Sequence, residues 1–432
     1  MDPLKQLFYE KAQALGAEVK ALLKEKGTAK IDEVSLKQLY GGARGVKMMV
    51  WETSSLDPHE GIRFRGYSIP QLRELLPKGS GGEPLPEGLF WLMLVGEIPS
   101  QEQVDWLSAQ WRARSEVPAY TLQMIDMLPT DTHPMVQFVT AIASMANQSV
   151  FAQRYDEGLA KTSYWDPFYE DAMNLIARLP HIAAYIYRRS FHGGKHIPSD
   201  ASLDWAANFA HMLGNDDPVF YDLMRLYTTI HSDHEGGNAS AHTTHVVAST
   251  LSNPYLAYAG GMAALAGPLH GLANQEVIKW IFHMLETLDT QTPTKEQIAE
   301  YVHETLAKGQ VIPGYGHAVL RRPDPRFLAQ KHFAETHLKD DPLVQVVWKV
   351  FEVVPPILQG LGKVANPWPN VDAHSGALLV HYGITECSFY TVLFGVSRAL
   401  GVMAAQCWAR ALGLPIERPK SVTSQWVFEQ FG

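Results

Sequence analysis

His270 lies in G-P-L-H-G-L-A-N-Q (267–275), among residues with almost no side chain. Gly267 and Gly271 permit backbone approaches that a Cβ would block, and Pro268 cannot continue a preceding helix. A histidine so placed is open to a ligand; the plainer reading is a histidine on a helix–helix turn. The segment V-I-P-G-Y-G-H-A-V-L-R-R-P-D-P-R (311–326) is denser. Gly314 and Gly316 bracket Tyr315, His317 follows directly, and Arg321, Arg322 and Arg326 come close behind. Val319 stands where a dinucleotide fingerprint needs its third glycine, and no G-K-S/T of a phosphate loop follows. A third segment, N-P-W-P-N-V-D-A-H-S-G (366–376), carries Asp372, which reads either as a helix N-cap or as a poised carboxylate base. In I-H-S-D-H-E-G-G-N (230–238), the turn at Gly236-Gly237 leaves His234 on an open helix end.

A carboxylate base, two histidines able to donate hydrogen bonds to carbonyl oxygens, and several arginines suit carbon–carbon bond formation through an enolate. The arginines would hold a multi-carboxylate partner by bidentate pairs. With 36 basic and 45 acidic residues the net charge is −9, so local arginine density must supply the attraction. No basic block stands out, and neither nucleic acid nor a membrane surface is an expected partner. Twelve of the 18 histidines fall between His231 and His381, which raises a metal site as an alternative. H-S-D-H (231–234) and H-T-T-H (242–245) each pair two imidazoles, and H-E-G-G-N resembles H-E-x-x-H with Asn238 in the last ligand position. That replacement, and two glycines in a motif that must be helical, argue against a zinc hydrolase, and no metal is expected.

These groups need a scaffold, and the chain reads as overwhelmingly helical. Its 432 residues, 46% hydrophobic and 19% charged, are enough for two or three folding units. Asp2-Pro3, Ser202-Leu203-Asp204-Trp205, Asp217-Pro218, Thr294 and Asp341-Pro342 each open a run with helical apolar spacing. Prolines and glycines punctuate such runs. Strand-like alternation is confined to 46–51 and 61–66, so the fold class is all-α with a minor β element near the N-terminus. The apolar stretch Phe389 to Trp408 is long enough to cross a bilayer, which needs about 20 residues. Arg398 at its centre would cost roughly 2.5–3.5 kcal/mol there. A buried core helix is expected instead, and a buried Arg398 needs an anion beside it. Two cysteines, Cys387 and Cys407, imply a reducing compartment. The capped helix behind Met1 has neither signal-peptide nor transit-peptide character, so a cytoplasmic location is expected, with the mitochondrial matrix after presequence removal as the alternative.

Together with Y-G-G-A-R-G (40–45), Y-T-V-L-F-G-V-S-R-A-L-G (390–401) and E-R-P-K-S (417–421), these motifs run in order over nearly the whole chain. The chain resembles the citrate synthase family, of the dimeric type found in mitochondria and some bacteria. The resemblance implies an acyltransferase that condenses acetyl-CoA with oxaloacetate and water through an enol(ate) and citryl-CoA, at the start of the tricarboxylic acid cycle. Asp372 would be the base, His270 would stabilise the thioester oxygen, and His317 would polarise and protonate the ketone. His234, Arg326, Arg398 and Arg418 would hold oxaloacetate, Arg418 reaching across a homodimer. Coenzyme A would lie against Val311, Pro313, Gly314, Tyr315 and Gly316. Its phosphates would meet Arg44, Arg321 and, from the second subunit, Lys161. Lysine there keeps the charge but loses the guanidinium fork. A large helical domain (1–271 and 384–432) and a smaller one (272–383) would close on each other, and no cofactor is implied, acetyl-CoA being a substrate. A 2-methylcitrate synthase using propionyl-CoA shares the same motifs.

Overall fold

The computed structural model describes residues 2–317, 319–362 and 364–432. Ala318, inside the 311–326 motif, lies outside them. Among the described residues the architecture is helical throughout, with one small sheet. The expected helix starts are present: Asp2, Asp204, Asp217, Thr294 and Asp341 each accept a backbone N–H of the following first turn. This satisfies donors that no intrahelical carbonyl can reach.

The apolar stretch around Arg398 forms the Tyr390–Ala411 helix, and Arg398 on it is only 1% exposed. It packs against the Trp165–Phe191, Pro86–Val95, Pro218–Ile230 and Pro254–Leu265 helices. A helix apolar all round has no solvent face to keep, so it becomes the core. Burial of side chains such as Val392, Leu393, Val396 and Leu400 stabilises it by roughly 1.5–3 kcal/mol each.

The sheet consists of β1 (Ser54–Asp57), β2 (Gly61–Phe64) and β3 (Tyr67–Ser68), paired antiparallel in that order. The expectation of a strand at 61–66 holds for Gly61–Phe64, whereas 46–51 has no regular structure. Local turn chemistry explains the difference. The Asp57 carboxylate accepts the His59 and Glu60 N–H groups at 2.7 and 2.8 Å, closing the first hairpin. Arg65 and Gly66 both adopt positive φ, as the two-residue turn into β3 requires. Residues 46–51 have the alternation but no such turn to give them a partner.

The Ala273–Thr287, Lys295–Ala307, Pro325–His337, Pro342–Gly360 and Asp372–His381 helices pack on one another. The Pro325–His337 helix also meets the Pro218–Ile230 and Ile69–Leu75 helices. Beside it, the Arg321 N–H donates to the Pro58 carbonyl at 2.7 Å.

Candidate active site

After the Pro218–Ile230 helix the chain runs irregularly from His231 to Gly237 and restarts at Asn238, the N-cap of the Ala239–Ser249 helix. His234 is therefore not on an open helix end, as its flanking glycines suggested, but in a buried loop. Asp233 draws that loop inward. Its Oδ2 accepts from Trp51 Nε1 (2.9 Å), Thr53 Oγ1 (2.6 Å) and Ser54 Oγ (2.8 Å), and its Oδ1 accepts the His234 N–H (2.9 Å). The His234 Nε2 is buried without a hydrogen-bond partner, and its ring centroid lies 5.2 Å from that of His317. Burial, with Arg326, His317, Arg398 and His270 nearby, holds His234 neutral, well below the usual imidazole range.

His270 lies on the turn between the Pro254–Leu265 and Ala273–Thr287 helices. Its Nε2 faces the Ser240 N–H at 3.1 Å and the Ser240 hydroxyl at 2.8 Å. A backbone N–H can only donate, so Nε2 accepts and the proton of the neutral ring sits on Nδ1. His317 has the opposite arrangement: its Nδ1 accepts the Val319 and Leu320 N–H groups at 3.0 and 3.1 Å, leaving the proton on Nε2. Burial first, then Arg398 for His270 and Arg326 for His317, lowers each to about 4. At neutral pH both are uncharged donors of fixed direction.

Asp372 is the first residue of its helix, but its carboxylate caps nothing. Asn370 takes that role by accepting the Asp372 N–H at 3.0 Å, so the N-cap reading of Asp372 is replaced. Burial raises the Asp372 carboxyl to about 6, against the pull of Arg326 and with the help of Asp324. The loop of His317 is pinned to the same helix start. Gly316 N–H donates to the Trp368 carbonyl (3.0 Å), and Asn370 donates from its N–H to the Gly314 carbonyl (2.9 Å) and from Nδ2 to the Gly316 carbonyl (3.2 Å). Gly314 is required here: its φ is +78°, and a Cβ would stand 2.7 Å from Val277 Cγ2. Two segments separate in sequence thus form one unit.

Both core arginines have protein partners. Arg326 grips the Asp324 carboxylate from Nε (3.0 Å) and Nη2 (2.6 Å). Burial would raise Asp324, yet the guanidinium outweighs it and holds the carboxylate ionised. Arg398 donates from Nε to the His231 carbonyl (3.2 Å) and from Nη1 to Asn238 Oδ1 (3.1 Å). Burial lowers it to about 10, and Asp233 opposes that shift. The anion that a buried Arg398 demands is thus partly supplied by the protein. Arg321 donates from Nη1 to the Val319 and Leu320 carbonyls, each at 2.8 Å. Val311 is exposed, Gly314 buried, and Pro313, Tyr315 and Gly316 partly exposed. Arg44, Lys161 and Arg418 are exposed, and among the described residues no side-chain hydrogen bond or ion pair ties them to this cluster.

Sequence reasoning missed Asp233, Asn238, Ser240, Asp324 and Asn370. Asn238 and Asp324 carried a usable signal, each being a cap residue directly before a helical run. Ser240 and Asp233 carried none, because their partners lie 30 and about 180 residues away. Among the described residues no three His, Cys, Asp or Glu groups converge on a metal position. His242 and His245 instead share the Glu417 carboxylate. A cavity of about 460 Å³ beside Arg112, Tyr185 and His196 lies apart from the cluster, and none of the cluster residues lines it.

The citrate synthase family profile, described as the citrate synthase C-terminal domain, matches residues 42–420. The chain belongs to the citrate synthase family. It is, with that family, an enzyme of the transferase class. A mitochondrial citrate synthase of Daucus carota is 56% identical over 425 residues, 98% of this chain and 89% of its own length. A probable mitochondrial citrate synthase of Glossina morsitans morsitans is 56% identical over 98% of this chain and 91% of its own. The crystal structure of the Pyrobaculum aerophilum citrate synthase superposes with a TM-score of 0.76 at 29% identity, covering 91% of this chain and 94% of that one. The all-α citrate synthase fold inferred from the motifs is the fold observed.

Proposed function

We propose that the cluster catalyses citrate synthesis, with Asp372 as base and His270 and His317 as neutral hydrogen-bond donors. The observation that carries this reading is the pair of fixed tautomers. Asp372 takes a proton from the acetyl methyl of acetyl-CoA while His270 Nδ1–H donates to the thioester oxygen, so charge develops where a donor already points. The resulting enol(ate) carbon attacks the oxaloacetate ketone. His317 Nε2–H polarises that ketone oxygen and protonates it as the bond forms. Water then hydrolyses the thioester of citryl-CoA, releasing citrate and CoA. Arg326, Arg398 and His234 hold the oxaloacetate carboxylates, the unpartnered His234 Nε2 being available to donate. Hydrogen bonds do the polarising throughout, and the reaction calls for no cofactor beyond its substrate.

Coenzyme A lies against 311–316, with Arg44 and Arg321 on its phosphates. Lys161 and Arg418 act from the second subunit of a homodimer, which accords with their exposure in a single chain. The mutual packing of the helices within 273–381 supports a small domain at 272–383, set against a large domain of 1–271 and 384–432. Its closure would expel water from the enolate. The names of the relatives support a mitochondrial reading over the cytoplasmic one expected from the first residues.

The test is release of CoA thiol from purified protein with oxaloacetate, comparing acetyl-CoA and propionyl-CoA without added metal. Fast release with acetyl-CoA and much slower release with propionyl-CoA is expected. One added methylene is discriminated by only about 1–3 kcal/mol, so equal or reversed rates would move the assignment to 2-methylcitrate synthesis. Silence with both would overturn it.

A further inference from the structure

The stretch 415–422 leaves the Tyr390–Ala411 helix without regular structure, and the hydrogen bonds described within it are those of Glu417. The Glu417 N–H donates to Ser249 Oγ at 3.0 Å. Its Oε1 pairs with His242 Nε2 at 2.7 Å, and its Oε2 lies 3.6 Å from His245 Nε2. All three partners sit on the Ala239–Ser249 helix. Behind them stands Trp51, its ring edge-on to His245. Glu417 is turned into the body, and the next residue, Arg418, is turned out. The N-terminal turn of the same helix aligns the active-site groups: Asn238 accepts from Arg398, and Ser240 fixes His270. One helix therefore carries both a substrate-binding cluster and, among the described residues, the side-chain tether of this arm.

We infer that Glu417 is a positioning residue for oxaloacetate binding, clamping the 415–422 arm so that Arg418 is delivered at a set place. This rests on the reading that Arg418 reaches oxaloacetate in the partner subunit. An arm held at one point samples few conformations, and release of that point returns the ordering cost to the binding step. The clamp acts on affinity and not on the proton transfers, so its loss should appear in one Michaelis constant.

The experiment compares Glu417→Ala, Glu417→Gln, Arg418→Ala and the double variant E417A/R418A, with dimer mass checked by light scattering. For E417A, KM for oxaloacetate is expected to rise roughly three- to tenfold, the scale of re-immobilising one or two side chains. The kcat and the KM for acetyl-CoA should stay within about twofold, since the arm touches neither. E417Q keeps an oxygen for His242 and should fall between wild type and E417A. If Glu417 works through Arg418, the double variant is no worse than R418A alone. An unchanged KM for oxaloacetate in E417A, with R418A impaired, overturns the clamp and leaves the Arg418 reading standing. A silent R418A overturns that reading and the inference with it. Additive losses, a fall in kcat, or dissociation of the dimer would mean a general structural role and also overturn it.

Discussion

In the proposed mechanism Asp372 removes a methyl proton, which calls for a stronger base than an exposed aspartate, and its burial supplies that strength. With its carboxyl raised to about 6, the ionised form is the base, and activity is lost as pH falls through that value. We expect kcat/KM for acetyl-CoA to drop about tenfold per pH unit below 6. His270 and His317, lowered to about 4, stay neutral there and add no second proton to that limb. A slope of two near pH 6 in the rate profile would contradict this. Asp372→Asn should cost roughly 10²–10⁴ in kcat by single-turnover measurement. Ser240→Ala is a finer probe. It removes the hydroxyl but keeps the N–H that holds His270 Nε2 as acceptor, so kcat should fall less than about tenfold. Removing the donor itself, in His270→Ala, should cost about 10²–10³. Asp372, His270 and His317, the three residues assigned to catalysis in the proposed mechanism, drew notice in sequence because glycines and prolines flank their segments. Their tautomers were not visible, because the N–H groups that set them belong to backbone that only folding brings near.

Helix starts at Asp2, Asp204, Asp217, Thr294 and Asp341 were legible, since a cap is a contact between residues two or three apart. The loop at 231–237 was misread for the opposite reason: Asp233 is satisfied by Trp51, Thr53 and Ser54, far away in sequence. The strand expected at 46–51 failed because alternation describes a face, while a strand needs a partner. Gly401 shows what packing alone reveals. On sequence it is one more glycine in an apolar helix, yet its N–H donates to the Ser232 carbonyl at 3.1 Å. A Cβ there would meet Asp233 Cβ at 2.3 Å and that same carbonyl oxygen at 2.6 Å. Gly401→Ala must displace the loop that carries His234 and the counter-charge of Arg398. Overpacking of this kind costs about 1–3 kcal/mol. The expected outcome is a lower melting temperature together with a higher KM for oxaloacetate; a shift in melting alone would mean that the loop tolerates the displacement.

At the scale of the whole molecule, a chain of net charge −9 must bind anions, so attraction has to be concentrated at a few guanidinium groups. Two of them, Arg326 and Arg398, are already partnered by Asp324 and Asn238, which orients them but spends part of their capacity. A further cation from outside the chain would restore it, and Arg418 stands exposed on an extended arm. Large apolar side chains are exposed near both ends of the chain: Ile31, Val34, Tyr40 and Val50 near one, and Ile416, Phe428 and Phe431 near the other. Tyr40 and Ser424 join the two ends by a hydrogen bond of 3.1 Å. Such a surface suits a two-fold partner, where each arm serves the other subunit's site. Mixed dimers decide whether it does. A hybrid of one Arg418→Ala subunit and one Asp372→Asn subunit holds, if Arg418 acts across the interface, one site with both lesions and one with neither. Its activity should then be roughly half that of wild type, although both parent homodimers are impaired at every site. If Arg418 acts within its own chain, each hybrid site keeps one lesion and no activity returns. Purification of the hybrid through two different affinity tags makes this a direct count of which subunit owns the arginine.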